Sequence, residues 1–337
     1  MFAYSNLAVW NVAFVVVLSL ALSGVALCSA IHLVGAKWHN EVKHLATSLF
    51  ALFPLAFVML VVMLLNGPLF FHWWGQQAGS HAHIPGWYQP HWFIAREVIG
   101  MLFMMWLYSI FIKRQAVSGR SPEDAASFHN IATVIPFFFV LYSTMIAWDF
   151  EMTLVPAWHS AIYGLQQFIS NFGMFLAMLV VWATAWNSRP GQTRPIAEYI
   201  YNHIAQMLLA FTLLWIYTYY SQYLTIWYGN LPDETGRVFG MERGDYAFLW
   251  WSVIALKFVI PFSVFAFPGP RHNVAAINAV AIGIIIGTVF ERFLWIGGIT
   301  GTGDYPVVAA IVIGGAVGLI GYTLVKARLK NADLVQG

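Results

Sequence analysis

The sequence is short of charge. Of its 337 residues only 9% are Asp, Glu, Lys or Arg, against 60% hydrophobic. A soluble domain keeps about a quarter of its residues charged to cover its surface, so most of this surface must face something apolar. Cysteine is scarcer still, with Cys28 alone. That excludes an intrachain disulfide, a Cys-x-x-Cys-His haem attachment and a Cys-ligated iron–sulfur cluster. Any redox chemistry must therefore carry its electrons on a partner or a diffusible carrier. No Lys or Arg precedes Lys37. The first apolar run thus lacks the basic n-region of a cleaved signal peptide, and it is expected to stay as a helix.

What is abundant points the same way. Mean hydropathy is +0.70, and aromatic residues make up 17%, with Trp 16 and Tyr 15, which suits two membrane interfaces. A spanning helix needs about 20 mostly apolar residues. Such runs lie near 9–34, 45–66, 93–112, 130–149, 160–186, 204–228, 246–267, 273–295 and 305–325. The expectation is an all-α polytopic membrane protein, one domain over 1–337, with longer loops at 67–92 and 229–245 and a tail at 326–337.

Basic residues orient it. With the amino terminus outside, Lys37, Lys43, Lys113, Arg114, Arg120, Arg189, Arg194, Arg271, Lys326, Arg328 and Lys330 fall on the cytoplasmic side. Only Arg96, Arg237 and Arg243 fall opposite, and Lys257 and Arg292 lie within spans. The positive-inside rule is then satisfied, with a cytoplasmic carboxyl terminus. The first outer loop holds Phe71-His72-Trp73-Trp74, Ser80-His81-Ala82-His83, Trp87-Tyr88 and His91-Trp92; the second holds Asp233, Glu234, Glu242 and Asp245. These loops read either as a docking surface for a partner or as an aromatic belt with solvated turns. The His-x-His pair lacks further ligands at a recognisable spacing, so no metal site is expected. Gly283-x-x-x-Gly287 and Gly314-x-x-x-Gly318 mark faces where helices could approach closely.

Charges within spans cost at least a few kcal/mol unless paired or wetted, which makes each a functional candidate. Arg96 and Glu97 open the third span, Asp149 closes the fourth, and Glu151 and His159 follow it. Gln222 and Tyr223 lie in the outer half of the sixth span, and Glu291-Arg292 near the outer end of the eighth. A layer of this kind suits quinol oxidation, which needs acceptors for two phenolic protons and polar groups on the ring oxygens. The plain alternative is that the arginines pair with the carboxylates and fix the helices. Lys257 stands alone in the seventh span, as part of a proton path or in need of an unseen partner. Haem is disfavoured: His32, His44, His129, His203 and His272 cluster near inner ends, and His91 and His159 near outer ends. A bis-His haem needs facing ligands well inside the bundle.

Three stretches carry a resemblance. Ser221-Gln222-Tyr223-Leu224-Thr225-Ile226-Trp227-Tyr228-Gly229-Asn230-Leu231-Pro232-Asp233-Glu234 resembles the "SQ-x-x-x-IW-aromatic-x-NLPEE" segment of the NrfD-like membrane subunits of bacterial alternative complex III. Trp148-Asp149-Phe150-Glu151-Met152-Thr153-Leu154-Val155-Pro156-Ala157-Trp158-His159-Ser160 is similar to that family's "DW-x-MSL-x-P-x-W-x-ST". His32-Leu33-Val34-Gly35-Ala36-Lys37-Trp38 resembles its "hLtGgaW" turn, and Pro261-Phe262 its later "PF". The likeness is strongest to the ActF-type subunit. Glu151 departs from the usual small or aliphatic residue, His159 from a common Tyr or Phe, and Glu291 from a frequent Asp.

The resemblance implies two four-helix bundles with one peripheral helix, in a quinol-oxidising complex of the bacterial inner membrane. It implies as partners a periplasmic iron–sulfur subunit, c-type haem subunits and a second NrfD-like chain, the ActC-type sister subunit. The chain would bind no covalent cofactor, with quinol (menaquinone or ubiquinone) and lipids as its ligands. Expected quinone or proton-path residues are Arg96, Glu97, Asp149, His159, Gln222, Glu291, Arg292 and Lys257. Expected docking residues are Trp227, Tyr228, Asn230, Asp233 and Glu234. Alternatives are the anchor of a molybdopterin reductase of the polysulfide type and a secondary transporter, although no repeat relates the two halves.

Overall fold

A computed structural model of the chain describes residues 4–36, 38–74, 85–189, 195–298 and 305–336. Among the described residues there is no strand, and nine helices are long and apolar enough to cross a membrane. They are α1 Ser5–Leu33, α2 Asn40–Leu65, α3 Pro90–Val117, α4 Pro122–Leu154, α5 Tyr163–Asn187, α6 Glu198–Gly229, α7 Ala247–Phe265, α8 Val274–Gly297 and α9 Val307–Lys330. The chain is a multi-pass, all-α membrane protein. The face where α1 and the other odd-numbered helices begin is called here the entry face, and the opposite one the far face. The His81 and His83 pair lies outside the described residues.

Helix ends follow local chemistry. The hydroxyl of Ser121 accepts the N–H of Asp124 at 3.1 Å, and Pro122 follows it in the first turn, where its missing N–H costs nothing. Asn230 ends α6 in the left-handed region (φ 47°), donating its N–H to the Ile226 carbonyl. Pro232 then starts an amphipathic helix, Pro232–Arg243, where the sequence reading expected a loop. The expected tail is also helical, since the last helix continues from Val307 to Gln336.

Each interior proline leaves a distinct mark. Pro136 in α4 removes the bond to the Ala132 carbonyl, and Ser29 of α1 supplies a replacement at 2.6 Å. Pro54 follows a 3-10 turn, Leu49–Leu52, in which the Phe53 N–H takes up the Phe50 carbonyl that the ring cannot reach. Pro261 follows a π-helical turn, Ala255–Val259, and leaves the Lys257 carbonyl without its usual donor. That turn carries the Lys257 side chain.

Helices α1–α4 pack as one group and α5–α8 as a second, joined where α1 and α4 meet α5 and α8. α1 is the central post, with 83% of its apolar window buried, against 11% for α9. α9 is therefore peripheral, lying over α1 and the start of α2. The two glycine pairs diverge. A Cβ on Gly287 would stand 2.8 Å from Lys257 Cγ and 2.9 Å from Leu256 Cβ, so α7 and α8 do meet closely there. Nothing stands within 4 Å of a Cβ on Gly314 or Gly318. The second pair makes no close approach among the described residues.

Candidate functional site

Two buried charge clusters lie toward the entry face, each built from one carboxylate at the end of α4. Asp149 serves the first. Its carboxylate takes a bidentate fork from Arg96 of α3, with Nε to Oδ2 at 2.6 Å and Nη2 to Oδ1 at 2.7 Å. Trp87 Nε1 donates to Oδ1 at 2.5 Å. Arg96 also gives Nη1 to the Trp87 carbonyl at 2.9 Å and lies 4.1 Å over the Trp87 ring. The short segment Pro85–Tyr88 thus caps the pair with an aromatic lid. Beside it, burial first and the Asp149 charge second push the Tyr88 phenol above its ordinary range.

Glu97 is fully buried next to this pair. Neither of its oxygens has a hydrogen-bond donor among the described residues. Its charged neighbours are Asp149 and Arg96. Two neighbouring carboxyl groups can share or pass a proton whenever one of them carries it.

Glu151 serves the second cluster. The α-helical part of α4 ends at Phe150, and the backbone of Glu151 turns off (φ −128°, ψ −53°) before a last 3-10 turn, Met152–Leu154. Arg292 Nη1 reaches its two oxygens at 2.8 and 2.7 Å, and the Tyr163 hydroxyl donates to Oε2 at 2.7 Å. Arg292 Nη2 lies 3.3 Å from Glu291 Oε1. Glu291 in turn binds Lys257 and accepts from Ser170 Oγ at 2.5 Å and Trp215 Nε1 at 3.1 Å. Lys257 also donates to Ser170 and sits 4.7 Å from the Trp215 ring centroid. The result is a chain of alternating sign, Glu151–Arg292–Glu291–Lys257, with every member buried. Four charges that balance avoid the penalty of a lone ion in hydrocarbon.

Arg237 of the amphipathic helix covers this cluster from the entry face. It donates to the Trp295 carbonyl at 2.8 Å and lies 4.5 Å over Trp158. Gln222 is a neighbour rather than a member. It is buried with no hydrogen-bond partner for its amide among the described residues, and it lines a cavity of about 10 Å³ with Tyr219, Trp250 and Trp295. A second cavity of about 10 Å³ lies against Lys257, Ser170, Thr212 and Trp215. Each is about the size that holds one water.

Seven of the eight expected residues therefore lie in or against the two clusters. His159 does not: it is exposed, in the turn after α4. Lys257, read as solitary, has a partner in Glu291. Glu151, placed in the polar layer but not among the expected site residues, proves to be the carboxylate that joins α4 to the second bundle. Its signal was its place two residues after Asp149, at a helix end. Of the expected docking residues, Trp227, Tyr228 and Asn230 are exposed, and Glu234 is half-buried. The side chain of Asp233 lies outside the described residues. Among the described residues no group of three or more His, Cys, Asp or Glu could hold a metal ion.

No family model matches the chain, and no curated protein matches it.

Proposed function

We propose that this chain is an NrfD-like membrane subunit of a quinol-oxidising complex of the alternative complex III type, in which it carries protons and anchors electron-carrying partners. The observation behind the proton role is the buried chain Glu151–Arg292–Glu291–Lys257 with only water-sized spaces against it. Pockets that take a small organic ligand run to some hundreds of Å³, and a quinol ring has no such room beside these charges. A water in either small cavity would link Gln222 or Lys257 to its neighbours, and carboxyl, hydroxyl and amine groups at hydrogen-bond distance can relay protons. In this reading the quinol is oxidised in the sister subunit.

Orientation follows from the distribution of Lys and Arg, which places the entry face in the periplasm of a bacterial inner membrane. The exposed Trp227, Tyr228 and Asn230, with the amphipathic helix after them, would then meet the periplasmic iron–sulfur and haem subunits. The deciding experiment is mild-detergent purification through a tag on this chain, with an optical redox spectrum and mass spectrometry of what accompanies it. Co-purifying c-type haem, an iron–sulfur protein and a second NrfD-like chain are expected. A molybdopterin subunit without c-type haem would assign the chain instead to a reductase anchor, and a colourless chain alone would overturn the respiratory reading.

A further inference from the structure

Two larger spaces lie away from the charges, one of about 590 Å³ between α1, α2 and the start of α9, and one further along α9. A cavity of about 410 Å³ lies beneath α9, between Val12, Val16 and Leu20 of α1 and Gly314, Gly318 and Tyr322 of α9. It exists because Gly314 and Gly318 meet nothing and the helix buries little of itself. An apolar gap at hydrocarbon depth takes up the solvent of that depth, acyl chains, because an empty one forfeits dispersion contacts along its whole lining.

One end of the groove has a different chemistry. Trp182 and Tyr322 meet edge to face there, with ring centroids 5.7 Å apart. Beyond them lie three cations. Lys326 Nζ lies 5.6 Å from the Tyr322 ring centroid, and Arg328 lies 5.1 Å from that of Phe50. Arg189 stacks 4.4 Å from the Trp186 ring centroid, one turn past Trp182. Arg328 is two turns past Gly321 and so continues the stripe of α9 that lines the groove. Apolar slot, aromatic collar and cations follow one another in the order of acyl chain, ester region and phosphate in a phospholipid leaflet.

We propose that the groove beneath α9 binds an anionic phospholipid, with an acyl chain between α1 and α9 and its phosphate among Lys326, Arg328 and Arg189. The lipid would complete the packing that Gly314 and Gly318 leave open, and hold the peripheral helix to the bundle. The charge at the mouth selects this occupant over a helix from a partner subunit.

The test is native mass spectrometry of the full-length chain in detergent, titrated with phosphatidylglycerol or with phosphatidylcholine. The wild type is expected to retain phosphatidylglycerol in preference. A Lys326→Gln/Arg328→Gln variant should bind it about fivefold more weakly for each charge removed, with phosphatidylcholine little changed. Gly318→Leu fills the slot and should weaken both lipids. Should that variant fail to fold, the double charge variant decides, since it alters no packed residue of the core. Equal affinity of the wild type for the two lipids, or unchanged phosphatidylglycerol binding in the double variant, would overturn the proposal. So would a partner helix that crosslinks to Gly318→Cys in a complex free of bound lipid.

Discussion

Asp149 and Glu151 stand two residues apart, yet they belong to different bundles and have different company. Asp149 points from the last turn of α4 into the first bundle, where one arginine and one indole take its oxygens. Glu151, just past the helix end, points into the second and begins a chain of four balanced charges. The first cluster keeps a carboxyl, Glu97, with no hydrogen-bond donor among the described residues; the second gives each carboxylate several. One helix terminus thus splits a sequence motif into two sites, one a single ion pair with a second carboxyl beside it and one a chain of balanced charges.

The largest expected effect separates them by stability. Glu291→Ala strands Lys257 and half of Arg292 and should cost about 3–5 kcal/mol, read as a shift in unfolding in detergent. Asp149→Ala should fall at the low end of that range, because Arg96 keeps the Trp87 carbonyl and ring. Adding Lys257→Met to Glu291→Ala should recover much of the loss, since an apolar replacement of a buried pair is often neutral. If the double variant is as unstable as the single, the cluster is not held by this pairing.

A smaller effect probes the closeness of α7 and α8 behind Lys257. Gly287→Ala drives a methyl against Lys257 and Leu256 and should cost about 1–3 kcal/mol. Gly283→Ala meets Leu256 only at 3.6 Å, an ordinary contact, and should be near neutral. Equal losses at both sites would mean that helix approach at Lys257 is nothing special.

The smallest stability change tests the contrast most directly. Glu97→Gln keeps the size of the side chain and leaves the Arg96–Asp149 fork untouched, so unfolding should move by less than about 1 kcal/mol. Proton release on quinol oxidation, measured with a pH dye in proteoliposomes of the intact complex, should fall nonetheless. A large loss of stability with proton release intact would make Glu97 a structural residue.

Much of this was legible in the residues. Long apolar runs marked all nine spans, with ends off by up to eight residues at the start of α4, because hydrocarbon leaves a backbone few choices. Polar groups inside those runs marked the layer, because each is costly there. The chain of Glu151 was harder to read. Its role depends on where α4 stops turning, which is set by packing around Phe150, whose carbonyl accepts from Asn11 of α1 at 2.9 Å. The partner of Lys257 was equally hidden, because Glu291 lies on the next helix and reaches it only where Gly287 and the π-turn before Pro261 bring α7 and α8 together.

Composition and periodicity by themselves determined that this is a multi-pass helical membrane protein with a polar layer near one face, since both follow from the transfer energy of each side chain. Which charges pair, whether they leave room for a ring or only for water, and where α9 stands off from the bundle were decided by tertiary packing alone. Those properties depend on distances between residues far apart in the chain, and a sequence carries no direct record of them.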